Sequence, residues 1–451
     1  MGPLNLSRRR TGRSSRPGHS RRASARRRPQ AVARGWLVKL AQRRLRSGGV
    51  DLAALDFLPE EVRLPLLRVG TDPVPELAEV RAAGPVQRRQ LPLGLTMHLV
   101  TGYEEVRGVL ADADSFSTEV AHLFQDAGPG SLADTGGLGF TDPPRHTQLR
   151  KLVAPEFTRH RLQKLRPTIE AIVAQRLDEL AAAGAPADLV ALVSSRVPMD
   201  AICGLLGLDD ADRDAFTRLG SERFDATGGT AAAFGAVSDQ KRLLTAAVAR
   251  QRIEPGPGLI GRILTAEGST ISDDDLAGLA DGIVTGGYET TASMIAMGTV
   301  VLLRDPAYVA LVRDGSAEDV DRVVEELLRH LSVVQVSFPR FARQDMELAG
   351  RHIKAGDVVI ASISGANRDP AWAGAEPDRV DPLRTPPSGH LAFGHGLHRC
   401  IGAELARMEL RIVLPALFRR FPDLALAVPE AELPWRSLSL VHGLESLPVV
   451  F

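Results

Sequence analysis

One helical segment constrains the fold of this chain more than any other feature. Ser272 and Asp275 have the spacing of a helix start, where a side-chain hydroxyl accepts a hydrogen bond from a backbone N–H three residues on. The helical pattern then continues to about Arg304, just before Pro306. At about 1.5 Å per residue, roughly 32 residues make a helix of roughly 48 Å, long enough to cross the whole molecule.

Helical periodicity dominates the stretch 143–333, whereas strand character is confined to short segments. The sequence predicts strands near 97–101, 358–360 and 447–451, and a further helix from Tyr103 to Leu110. It contains no internal repeats. We therefore expect a mainly α fold with a smaller β region.

Charge and composition divide the 451 residues unevenly. The first 50 residues hold 15 of the 55 Lys and Arg and no acid, and they are rich in Ser and Pro. Such a segment cannot bury apolar surface, so we expect a disordered extension over 1–47 and one folded domain over 48–451. We expect no nucleic-acid partner.

Cysteine usage and hydropathy point to the compartment. The two cysteines, Cys203 and Cys400, cannot form a disulfide framework, and no stretch approaches the length of a membrane span. These features predict a cytoplasmic protein without a membrane span.

The loop from Phe393 to Gly402 carries the strongest chemical signal. It places two glycines and His398 before Cys400, and an amphipathic helical segment follows. Backbone N–H groups and the positive end of a helix dipole favour a thiolate at that point, and a thiolate can ligate haem iron. Two alternatives remain open from the residues alone. Cys400 could be a small buried apolar residue, or it could join His395 and His398 at a zinc ion, which needs four ligands.

Two adjacent glycines, Gly286 and Gly287, interrupt the middle of the long helix. Each costs about 1 kcal/mol relative to alanine, so they indicate a close approach to the backbone. Glu289 and Thr290 follow, and a buried acid beside an alcohol can relay protons. The alternative is a tolerated glycine pair beside a satisfied polar pair.

Two further pairs have helical spacing. Glu326 and Arg329 lie three residues apart, a spacing that usually gives an exposed contact of little energy. Asp142 is a candidate helix N-cap, which would place His146 and Arg150 on one helix face. By themselves they would be a solvated basic face.

Together these segments resemble the cytochrome P450 family. The Phe393–Gly402 stretch is similar to its haem-binding loop, FGxGxHxCxG. Residues 286–290 are similar to its oxygen-activation motif, AGxET, with Gly286 in place of alanine. Residues 326–329 match its ExxR motif, and the matches run in the family's order over about 97–451.

The resemblance implies the cytochrome P450 fold, with haem b (iron protoporphyrin IX) between the long helix and an axial thiolate from Cys400. Glu289 and Thr290 would be the catalytic residues. Arg379 would join Glu326 and Arg329 in a buried ion-pair cluster, with Val380 in place of the usual phenylalanine. The other haem-binding residues that it implies are His146, Arg150, Arg340, Phe393, Gly394, His398 and Gly402.

The implied function is a monooxygenase of bacterial type that inserts one oxygen atom of O₂ into a lipophilic small molecule, by hydroxylation or epoxidation, in secondary metabolism. Substrate contacts are predicted from 116–135, 205–235, 283–291, 333–336 and 439–442. Electrons would come from a ferredoxin and its NAD(P)H-dependent reductase. The predicted docking face holds Arg145, Lys151, Arg399 and Arg407.

Two alternative functions are a peroxide-driven haem-thiolate oxidase and a non-catalytic haem- or ligand-binding protein. The intact Glu289–Thr290 pair argues against the first, because peroxide users need no such proton supply. A sensor would keep Cys400 but would not need the pair.

Overall fold

The structure is a computed structural model. It describes residues 63–90, 96–119, 137–209, 215–216, 229–266 and 271–451, with the side chains of 229–238 excepted. The predicted extension 1–47 lies outside the described residues, as do most of the predicted substrate loop 116–135 and part of 205–235.

Helices form most of the described chain. In chain order they are α1 Pro75–Ala82, α2 Tyr103–Ala111, α3 Arg145–Val153, α4 Arg159–Ala183, α5 Arg196–Leu206, α6 Gly229–Ile253, α7 Leu259–Ala266, α8 Asp273–Leu303, α9 Pro306–Arg313, α10 Ala317–Leu331, α11 Ile363–Ala366, α12 Pro370–Ala373 and α13 Ala403–Arg420. A π-helical turn spans Val190–Ser194, and short 3-10 turns span Leu64–Leu66, Ala154–Phe157, Gly396–His398 and Glu430–Glu432.

The strands are short. They are β1 Arg68–Val69, β2 Asp72–Pro73, β3 Val86–Gln90, β4 Thr96–Val100, β5 Phe116–Ser117, β6 Ala187–Asp188, β7 Arg340–Ala342, β8 Met346–Leu348, β9 Arg351–Ile353, β10 Val358–Ala361, β11 Ala425–Leu426 and β12 Pro448–Val450. The largest sheet has the order β3-β4-β10-β7-β5. Within it β10 runs parallel to β4 and antiparallel to β7, which connects distant parts of the chain.

The long helix α8 is the centre of the helical region. Ser272 accepts a hydrogen bond from the Asp275 backbone N–H, and acidic residues fill the first turn, where the helix dipole favours them. Most of its residues are buried against α5, α6 and α13. A helix apolar on nearly all sides is stable only inside a protein, so the composition of α8 requires helices around it.

Most of the secondary-structure predictions are confirmed. The long helix has the predicted bounds, and the strands near 97, 358 and 448 and the helix at Tyr103 form where expected. The prediction of Asp142 as an N-cap is wrong. Helix α3 starts at Arg145 without a side-chain cap, because the Asp142 carboxylate accepts hydrogen bonds from Ser117 and Thr118 instead.

Candidate active site

The loop before α13 holds Cys400 through backbone geometry. Gly394 and Gly396 have φ values of 68° and 71°, a region that favours glycine. A Cβ at Gly396 would also lie 2.6 Å from the Leu110 carbonyl oxygen, so this glycine serves a close approach as well as a turn. The Cys400 backbone N–H donates to the Phe393 carbonyl at 2.9 Å, which closes the loop.

Burial and the neighbouring donors act on the Cys400 thiol in opposite directions. Burial among loop atoms raises the pKa of the thiol, and the Gly402 backbone N–H and the Arg399 and Arg150 guanidinium groups offset this only in part. The residue nevertheless keeps exposed surface on its open side. The backbone N–H and the cations favour the thiolate in the predicted direction, while desolvation opposes them. A coordinated metal ion would deprotonate the sulfur outright.

The two adjacent glycines of α8 lie in different surroundings. A Cβ at Gly287 would lie 2.7 Å from Ile202 Cδ1 of α5, so this glycine permits helix packing. A Cβ at Gly286 would have nothing within 4 Å, although Val284 and Tyr288 on either side of it are buried. Thr290 lies one turn further and donates from Oγ1 to the Gly286 carbonyl at 2.7 Å. One strip of the otherwise buried helix thus faces open space.

Glu289 is 2% exposed and pairs with Arg436, in the segment that precedes β12. Sequence reasoning did not find Arg436, because it lies 147 positions from Glu289 in an irregular segment. The carboxylate is therefore held by a cation, while the Thr290 hydroxyl beside it lies on the open strip.

His146, His398 and Arg340 come together although they belong to α3, the cysteine loop and β7. The rings of His146 and His398 lie 4.4 Å apart. Both ring nitrogens of His146 are buried without a hydrogen-bond partner. The pKa of His398 falls to about 4, because burial and then the charge of Arg340 disfavour its cation.

Arg340 is 4% exposed, and its pKa is lowered to about 10 by burial. Its guanidinium group donates a long hydrogen bond of 3.4 Å to the Phe338 carbonyl. A cluster of buried donors with so few acceptors is a site for an anionic group, because unpaired buried polar groups cost free energy. Arg150, four residues after His146 on α3, donates instead to the Arg399 carbonyl at 2.9 Å.

The pair Glu326–Arg329 is buried, not exposed as its spacing alone suggests. The two side chains form a bidentate pair at 2.7 Å, and Arg329 also donates to the carbonyls of Asn367, Pro377 and Arg379. The Asn367 side chain accepts from the Leu391 backbone N–H at 2.7 Å. The ion pair is thereby connected to the start of the cysteine loop.

The predicted role of the Arg379 side chain in this cluster is wrong. Its guanidinium group is exposed and pairs with Glu376 at 3.2 Å. Arg384 takes the place beside Glu326, at 3.4 Å, and donates to the carbonyls of Glu376 and Arg379. The backbone turn over 376–384 points the Arg379 side chain outward, and no sequence signal distinguished the two arginines.

Two of the four arginine and lysine residues of the predicted docking face are paired within the protein. Arg407 is half-buried and binds Glu325 through two hydrogen bonds, of 2.6 and 2.9 Å, so it is not available to a partner. Arg145 pairs with Asp275 of α8. Lys151 and Arg399 are exposed.

Two of the predicted substrate segments lie side by side. Val334 and Val441 form an isolated β-bridge, and the Gln335 side chain donates to the Ser439 carbonyl at 2.7 Å. Leu440, on the second of these segments, is 63% exposed, and Phe338, two residues beyond the first segment, is 48% exposed.

The residues present fit a haem. Cys400 offers sulfur on its open side, Gly286 leaves the backbone of α8 clear, and the buried cluster around Arg340 and His146 has donors to spare for two carboxylates. Among the described residues, no group of three or more His, Cys, Asp or Glu side chains is arranged to hold a metal ion. The described helices also include none long and apolar enough to cross a membrane.

Comparison with known proteins agrees with this geometry. The family model for cytochrome P450 matches residues 259–425. Cytochrome P450 165B3 of Amycolatopsis orientalis is 39% identical over 396 residues, which cover 86% of this chain and 98% of the relative. Mycinamicin IV hydroxylase/epoxidase of Micromonospora griseorubida is 37% identical over 377 residues, covering 83% of this chain and 94% of the relative.

A solved structure shows the same fold. OxyC, a cytochrome P450 implicated in an oxidative C–C coupling reaction during vancomycin biosynthesis, superposes with a TM-score of 0.77 at 38% identity. The match covers 86% of this chain and 96% of the OxyC chain.

A mainly helical fold with a cysteine loop, an open strip on its central helix and a buried cluster of hydrogen-bond donors around Arg340 is the arrangement of a haem-thiolate oxygenase. The chain belongs to the cytochrome P450 family. It is a monooxygenase whose cofactor is haem b with a cysteine thiolate as axial ligand.

Proposed function

We propose that this enzyme hydroxylates or epoxidises a lipophilic small molecule of bacterial secondary metabolism, with Cys400 as the iron ligand. The observation that carries the proposal is the open strip at Gly286 and Thr290 in an otherwise buried helix. When bound, the haem supplies the activation of O₂ and the insertion of one oxygen atom. The apolar surfaces of Phe338 and Leu440 support a lipophilic substrate.

The chain's own residues hold the haem and handle protons. His146, His398 and Arg340 would bind the haem carboxylates, and the Gly394 and Gly402 turns would present Cys400 Sγ. Thr290 Oγ1 would turn from the Gly286 carbonyl and donate its proton to a group held in the open space. Glu289, an ionised carboxylate paired with Arg436, would take up a proton from solvent and pass it on to Thr290.

Replacing each of the two cysteines by serine tests whether Cys400 is the iron ligand. Cys400→Ser should abolish the thiolate-type carbon monoxide difference spectrum of the reduced, haem-loaded protein. Cys203→Ser is the matched control, because Cys203 is the other cysteine and is fully buried in α5. A thiolate spectrum that survives in Cys400→Ser would refute the assignment.

Oxidative coupling is a second candidate reaction. The likeness to OxyC, at a TM-score of 0.77, favours it. Turnover under ¹⁸O₂ separates the two reactions once a ligand that shifts the haem spectrum has been found. Hydroxylation or epoxidation places one ¹⁸O atom in each product molecule, whereas coupling removes hydrogen and places none. A labelled product supports the proposed function, and an unlabelled, hydrogen-depleted product replaces it with coupling.

For electron supply we propose a ferredoxin with its NAD(P)H-dependent reductase, docking near Arg399 and Lys151. Both side chains are exposed, and an acidic partner surface would complement them. Arg399→Glu should slow reduction by ferredoxin and leave the resting haem spectrum unchanged. Arg379→Glu, an exposed arginine of the 376–384 turn, is the control. An unchanged rate in Arg399→Glu would contradict the docking site.

A further inference from the structure

Arg407 occupies an unusual position behind the cysteine loop. Its guanidinium group binds both carboxylate oxygens of Glu325, at 2.6 and 2.9 Å, and donates to Glu404 at 3.1 Å. The guanidinium carbon lies 4.6 Å from the centroid of the Phe393 ring, a cation–π geometry. The two carboxylates and the aromatic ring together hold the guanidinium group in one position.

Phe393 connects this cation to the iron ligand. The Phe393 carbonyl accepts the hydrogen bond of the Cys400 backbone N–H at 2.9 Å. Glu325, the anion of the pair, is held from its other side by His390 at 3.2 Å. A fixed positive charge and a fixed negative charge thus lie behind the loop, with the cation directly against Phe393.

We propose that the Glu325–Arg407 pair sets the reduction potential of the iron held by Cys400. Reduction adds one electron, and hence one negative charge, to the haem iron and its cysteine ligand. A nearby cation stabilises that charge and a nearby anion opposes it, most strongly where water is excluded. The inference rests on the proposed ligation by Cys400.

Charge-neutralising variants give changes of opposite sign. Arg407→Gln leaves Glu325 uncompensated and should shift the one-electron equilibrium about tenfold toward the oxidised form, a fall of about 59 mV in potential. Glu325→Gln leaves the cation uncompensated and should raise the potential. The double variant removes both charges and should return close to the wild-type value. The measurement is a spectroelectrochemical titration of each haem-loaded protein, with dithionite as the reductant.

Arg411 offers a matched control. It lies one turn further along α13 and pairs with Asp321 of α10 at 2.6 Å, so it repeats the same helix-to-helix ion pair away from Phe393. Arg411→Gln should leave the potential unchanged.

The outcomes separate this inference from the ligand assignment. If the wild-type protein lacks a thiolate-type carbon monoxide spectrum, the ligation by Cys400 is wrong. If the spectrum is present in every variant but the two single variants shift the potential in the same direction, or not at all, the pair is only structural and the inference is overturned.

Discussion

Thr290 shows how a single side chain acquires a role from its surroundings. Its hydroxyl is tied to the Gly286 carbonyl, one turn back on α8, and that turn faces open space. A threonine in a fully buried turn would make the same hydrogen bond without access to a ligand. Neighbouring Glu289 is buried against Arg436.

We expect Thr290→Ala to lower the coupling of NAD(P)H oxidation to product by tenfold or more, since general acid–base groups contribute about 10²–10⁴-fold. Ligand binding, followed by the spin-state spectrum, should not change. Thr290→Ser keeps the hydroxyl and is the control. Unchanged coupling in Thr290→Ala would remove Thr290 from the proton path.

Arg384 and Arg379 provide a test of the corrected ion-pair cluster. Arg384→Met removes a largely buried guanidinium group and should lower the free energy of unfolding by roughly 1–3 kcal/mol, because two backbone carbonyls lose their donor while Glu326 keeps its pair with Arg329. Arg379→Met should have little effect, because that side chain is exposed. Urea unfolding of both variants measures the two changes in stability. Equal losses of stability would contradict the placement of Arg384, rather than Arg379, beside Glu326.

At the scale of elements, the packing of α8 against α5 explains why one glycine is replaceable and the other is not. Gly287 lies against Ile202, which is 1% exposed in the core, whereas Gly286 meets nothing. The same residue type in adjacent positions therefore serves helix packing in one case and access to the site in the other.

Gly287→Ala should destabilise the protein by about 1–3 kcal/mol through overpacking. Gly286→Ala should stabilise α8 by up to about 1 kcal/mol, because alanine has the higher helix propensity. Thermal unfolding measures both effects. Ile202→Val removes the atom that the new methyl group would meet and should recover part of the loss in Gly287→Ala. If Ile202→Val only adds to the loss, the assigned contact is not the cause.

At the scale of the whole molecule, His442 connects the two ends of the described chain. Its Nε2 contacts the Gly70 carbonyl at 2.8 Å, across 372 positions. The pKa of His442 is lowered from 6.5 to about 4, first by burial and then by the charge of Arg68. Between these two pH values His442 is therefore neutral in the folded protein and protonated in the unfolded chain.

This shift predicts acid sensitivity. The contribution of His442 to stability is fully present above pH 6.5 and is lost as the pH falls toward 4, by roughly 3 kcal/mol at about 1.4 kcal/mol per unit of pKa. His442→Gln keeps a donor without titrating and should flatten this part of the curve. His352→Gln, at an exposed site, should not. The measurement is the urea midpoint against pH, and parallel curves for His442→Gln and wild type would contradict the prediction.

Local patterns predicted much of the fold. The start of α8 followed from Ser272 and Asp275, since a capped start acts within four residues, and its end followed from the position of Pro306. The resemblance of the Cys400 loop to the cytochrome P450 family anticipated the fold that the comparisons then showed. The residue roles at the site stay predictions.

The sequence by itself determined where the elements form, because capping, glycine conformation and helical periodicity act over a few residues. Only the tertiary structure decided which distant side chains meet. It brought Arg384 rather than Arg379 to Glu326, placed Arg436 against Glu289 and withdrew Arg407 to Glu325. These contacts depend on the direction in which a loop leaves its helix, and residue type does not encode that direction.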